Sequence, residues 1–99
     1  MLKNFRTYQL AVNFYRQVKC QKLPAHLRNQ FDRAASSIAA NLAEGYGRST
    51  KADQNRFFSI AMGSLRECQC FIELACSNNH SQNDEADRLA AHLYKLIRI

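Results

Sequence analysis

The residues of this 99-residue sequence best suited to chemistry are four cysteines, three histidines and eight carboxylates among fourteen lysines and arginines. A structural metal would need ligands converging at fixed spacing. Cys68 and Cys70 stand ~200° apart on a helical wheel, so they cannot share an ion on one helix face. His26, His80 and His92 show no ligand spacing. No Ser/His/acid or Cys/His pairing is favoured by position, and no two carboxylates face one another within a predicted helix. The expectation is a chain with no catalytic residue, no metal and no cofactor, and therefore not an enzyme.

The cations have a clearer pattern. Residues 1–51 hold nine Lys/Arg against two acids, Asp32 and Glu44, whereas residues 52–99 hold five against six. A basic half invites a polyanion or an acidic protein. The candidate nucleic-acid-binding residues are Lys3, Arg6, Arg16, Lys19, Lys22, Arg28, Arg48 and Lys51. Phe5, Tyr8, Phe14 and Tyr15 lie among several of them and could stack on bases, although aromatics at helical spacing also suit a core. Gly45-Tyr46-Gly47-Arg48-Ser49-Thr50-Lys51 has the wrong spacing for a Walker loop, and no strand precedes it. It reads either as an anion site at a helix N-terminus or as a plain turn.

A polar stripe, Arg33, Ser37, Asn41 and Glu44, steps by four, four and three. Ser64 and Glu67 stand one turn apart further on. These six residues are expected to form a half-buried network that fixes helix register, since such groups are costly when unpaired.

Four amphipathic segments must position these groups. The first, from about Phe5 to Cys20, has a stripe of Phe5, Tyr8, Val12 and Tyr15, widened by Ala11 and Val18. Leu10 and Phe14 fall off that stripe and suggest a subunit interface. The second runs from Pro24, suited to a first helical turn, to Glu44, with core positions Leu27, Phe31, Ala34, Ala35, Ile38 and Leu42. Its second half is small-sided, so a close helix neighbour is expected, and Gly45 is placed as a left-handed cap. The third starts after Thr50, an N-cap with Asp53 three residues on. Phe57, Ile60, Ala61, Ser64, Leu65, Cys68, Phe71, Ile72 and Ala75 form its stripe, and Ser77, Asn78 and Asn79 end it. The fourth starts near Ser81, with Asp84 as a capping signal, and buries Ala86, Leu89, Ala90, Leu93 and Ile97, its end short or frayed.

Short loops between four such segments predict an all-α, antiparallel up-down-up-down four-helix bundle, one domain over residues 1–99. No apolar run suits a signal peptide or a membrane span, so a cytoplasmic protein with reduced thiols is expected.

The stretch Arg33-Ala34-Ala35-Ser36-Ser37-Ile38-Ala39-Ala40-Asn41-Leu42-Ala43-Glu44-Gly45, followed by Gly47-Arg48, resembles the signature of the bacterial 23S rRNA intervening-sequence proteins. Phe57-Phe58-Ser59-Ile60-Ala61-Met62-Gly63-Ser64-Leu65-Arg66-Glu67 is similar to that family's second block, and Phe5 to Tyr15 fits its opening. The resemblance implies a four-helix bundle that assembles into a ring-like homopentamer. It also implies kinship with accessory proteins of diversity-generating retroelements, which bind a reverse transcriptase and nucleic acid through a basic surface. Two functions are therefore expected: a homo-oligomer that binds RNA or DNA, or a scaffold that docks an acidic partner such as a reverse transcriptase-like enzyme.

Overall fold

The computed structural model describes residues 2–19, 23–75 and 80–98. A short 3-10 helix over Leu2–Asn4 precedes four α-helices: α1 (Arg6–Lys19), α2 (Ala25–Tyr46), α3 (Lys51–Leu74) and α4 (His80–Arg98). Each packs against its neighbours in chain order, and α1 also packs against α4, which closes a square. Twenty-four helical residues span about 36 Å, so α3 alone runs most of the molecule's 40 Å long axis.

Contacts along the helices fix their directions. Phe5, just before α1, stacks on Tyr46 at the end of α2, with ring centroids 4.8 Å apart. Phe31 near the start of α2 meets Phe71 near the end of α3 at 6.2 Å. Lys51 Nζ, at the start of α3, donates to the Leu96 carbonyl at the end of α4, 2.8 Å away. Each pairing joins a beginning to an end, so the bundle is antiparallel throughout.

The core is aliphatic and aromatic, with Phe14, Phe31, Ile38, Leu42, Leu65, Leu89 and Leu93 fully buried. Leu10 and Phe14 belong to it, at 3% and 0% exposure, and not to a subunit interface. The side of α1 turned inward carries Leu10, Ala11, Phe14 and Val18, whereas Tyr8, Val12 and Tyr15 lie half-buried. On α3 the buried residues are Phe58, Ala61, Ser64, Leu65, Cys68 and Ile72. Ile60, expected in that stripe, is 47% exposed, and Phe57 and Phe71 are half-buried at its margin.

The ends of the helices follow from local chemistry. The Asp53 amide donates to Thr50 Oγ1 at 3.1 Å, the N-cap that the sequence pattern predicts. At the end of α2 the left-handed glycine is absent. Gly45 lies inside the helix, and the capping residue Gly47 has φ −84° and ψ −3°, a right-handed conformation. Gly45 answers a different need: a Cβ there would stand 2.7 Å from Phe58 Cε1 and 3.1 Å from Phe57 Cβ. Helix α3 packs closely against α2 at this position. Helix α4 begins at His80 and continues to Arg98. The Leu96 and Ile97 carbonyls, orphans of a last helical turn, accept from Lys51 Nζ and Asn55 Nδ2 at 2.8 and 3.2 Å. Cys20, Lys22, Cys76, Ser77, Asn78 and Asn79 lie outside the described residues, as do the side chains of Lys19 and Ser81.

Candidate nucleic-acid interface

The end of the bundle that carries the chain termini is built around Phe5. Its ring stacks on Tyr46 and tilts against Phe58 at 6.2 Å, which holds the first residues of the chain beside the α2–α3 turn. Lys3 and Arg6, both exposed, are thereby brought to the end that bears Arg48 and Lys51. The Lys51 bond to Leu96 adds the exposed Lys95 to the group. Among the described residues, Lys3, Arg6 and Lys95 form no ion pair.

The two cations of the turn already have partners. Arg48 donates to Glu44 Oε2 at 2.8 Å, and its guanidinium lies 4.6 Å from the centre of the Phe57 ring. Lys51 stands 5.8 Å from the Phe58 ring while it caps α4. Gln54 Nε2 donates to the Arg48 carbonyl at 3.3 Å, which secures the turn further. Each of these side chains therefore also holds helices together.

The remaining candidate cations lie elsewhere. Arg16 is exposed on α1, ten residues and about 15 Å along the axis from Arg6. Arg28 is half-buried near the start of α2 and pairs with Asp32, Nε to Oδ2 at 3.3 Å. Lys22 and the Lys19 side chain lie outside the described residues. Of the described cations singled out in the sequence, Lys3, Arg6, Arg48 and Lys51 thus share one end, whereas Arg16 and Arg28 lie away from it. Lys95, which joins the first group, comes from the acidic half of the chain. Local charge counting could not find it, because only the antiparallel return of α4 brings it there.

The polar stripe divides in the same way. Asn41 Nδ2 donates to the Ser37 carbonyl at 2.9 Å and to Ser37 Oγ at 3.0 Å. Ser64, a residue 7% exposed, donates from Oγ to Ser37 Oγ at 2.9 Å and so ties α3 to α2 at mid-height. Arg33 and Glu67 are exposed on the walls of a polar groove of about 320 Å³, with Ser37 and Ser64 among its lining. Glu44 turns to Arg48 instead.

Cys68 and Cys70 occupy opposite environments, as their wheel positions require. Burial, together with the nearby Glu67 charge, raises the Cys68 thiol from its ordinary 9.0 to about 12, whereas Cys70 is exposed. A thiol without its thiolate is a poor nucleophile. Iodoacetamide at neutral pH, read by peptide mapping, is expected to label Cys70 and to spare Cys68 until the protein unfolds. Because the folded value is the higher one, the stability held by this thiol is present below the ordinary 9.0 and is lost as pH climbs toward about 12. Among the described residues, no three His, Cys, Asp or Glu side chains gather where a metal could bind, and no helix is long and apolar enough to cross a membrane.

An all-α square bundle with cations gathered at its terminal end is the class of protein that this fold and surface define. The sequence matches the model of the 23S rRNA-intervening sequence protein family over residues 3–99, and the chain belongs to that family. No curated protein and no solved structure matches it.

Proposed function

We propose that the protein is a non-enzymatic, homo-oligomeric module that binds RNA or another nucleic acid through the terminal end of its bundle. The supporting observation is the convergence of Lys3, Arg6, Arg48, Lys51 and Lys95, drawn from three separated stretches of chain, at one end. Lys3, Arg6 and Lys95 have no carboxylate partner among the described residues, so phosphates would not have to displace one. Such contacts read backbone charge and not base sequence, so binding is sequence-tolerant. The five-subunit ring implied by the family resemblance would repeat the cationic end around an axis and add avidity to weak single contacts.

Retention of single-stranded RNA on a filter across a salt series tests this reading. Affinity is expected to fall steeply with salt, with a log–log slope near −0.7 per phosphate contact. Arg48→Glu with Lys51→Glu should weaken binding while the helical spectrum persists. No retention of RNA or DNA at low salt would sink the nucleic-acid reading. Capture of a protein partner that survives nuclease treatment would then favour the acidic-partner scaffold.

A further inference from the structure

We propose that α3 pairs with α3 of a second copy of this chain across a two-fold axis that passes between Ile60 and Gly63. Arg56, Ile60, Gly63 and Glu67 step by four, three and four, and all four are exposed. At 100° per residue they lie within an arc of about 60°, a straight stripe down the exposed side of the helix, with Glu67 also at the edge of the groove that Arg33 shares. Two members of this stripe are unexplained by the single chain. Ile60 is a large apolar side chain left 47% exposed. Gly63 sits in mid-helix, where glycine is unfavourable, yet a Cβ there would meet nothing within 4 Å. Nothing in its own bundle requires the missing side chain.

The stripe is complementary to its own reverse. Read toward the C-terminus it presents a cation, a knob, a notch and an anion. Laid antiparallel on itself, it places Arg56 opposite Glu67 of the second copy and Ile60 opposite the other copy's Gly63, each contact made twice. That reciprocity is the mark of an isologous interface. Charge fixes the register. Centring the pair on Ile60 sets the two isoleucines together and brings Asp53 against Glu67 of the second copy. Shifting it the other way sets Ile60 against that carboxylate. Arg56 is already steadied by the Phe57 ring, 4.8 Å from its guanidinium, and within its own chain it pairs loosely with Asp53, 4.0 Å from Nε. Glu67 forms no ion pair among the described residues. A ring closes through a heterologous interface, so this two-fold contact is additional to any ring and independent of nucleic-acid binding.

Sedimentation equilibrium over a concentration series tests the contact, with circular dichroism confirming that each variant is helical. Glu67→Arg and Arg56→Glu alone each turn two attractive pairs repulsive and are expected to weaken self-association about tenfold or more. The double variant restores the pairs with reversed sign and should recover it. Gly63→Leu fills the notch and should abolish the contact in a chain that still folds, since the added side chain points into open space. The proposal is overturned if the single variants associate as the wild type does, if the double variant fails to recover, or if Gly63→Leu keeps the wild-type mass. A wild-type chain that stays monomeric throughout overturns it as well.

Discussion

Phe14→Ala is expected to lower the stability of the bundle by about 3–5 kcal/mol, the range for deleting a fully buried aromatic ring. Phe14 is completely buried, and it sits on α1, the shortest of the four helices at 14 residues. A short helix is docked by few side chains, so losing the largest of them leaves a cavity that its neighbours cannot easily fill. A domain of this size shifts its midpoint by about 4–8 °C per kcal/mol, so a fall of at least about 12 °C should follow. Denaturant unfolding followed by circular dichroism gives the free energy directly. The cost should not depend on protein concentration, because the ring is buried within one chain. A loss below about 1 kcal/mol would put Phe14 outside the core.

Gly45→Val is the second large effect. Even an alanine Cβ at this position would stand 2.7 Å from Phe58 Cε1. Phe58 has nowhere to retreat, being 2% exposed and in contact with Phe5. The two helices must therefore separate. Overpacking of this kind costs about 1–3 kcal/mol, set against the roughly 1 kcal/mol of helix propensity that replacing a glycine can return. Valine adds two methyl groups to the same clash and forfeits part of that propensity, so a net loss is expected. Thermal unfolding of Gly45→Ala and Gly45→Val should give midpoints that fall in that order below the wild type.

The four helices were legible because their signals are local. The Thr50–Asp53 cap, Pro24 just before α2, and the periodic apolar stripes each require only neighbours in sequence. What escaped was decided by distant packing. On α1 two apolar stripes lie side by side, and spacing alone favours Phe5, Tyr8, Val12 and Tyr15. Phe5, Ala11 and Val18 are buried as that stripe expects, but the tyrosines carry a hydroxyl that prefers the margin, so Leu10 and Phe14 fill the core where Tyr8 and Tyr15 were expected. Gly45 looks like a cap from its neighbours, but the approach of Phe58, thirteen positions on, is what demands it. The cationic end was half visible: Lys3, Arg6, Arg48 and Lys51 stand out in sequence, whereas Lys95 needs the bundle to reach them.

That assembled end is the centre of the functional account, and a matched pair of charge reversals tests it most directly. One variant carries Lys3→Glu, Arg6→Glu and Lys95→Glu at the terminal end. The other carries Arg16→Glu, Arg33→Glu and Arg66→Glu, all exposed and away from it. Both lower the net charge equally, so any difference reports location and not total charge. Titration of a labelled single-stranded RNA at fixed low salt is the measurement. The account predicts a loss of about tenfold or more in the first variant and a markedly smaller one in the second. Equal losses in the two, or a larger loss in the second, would contradict it.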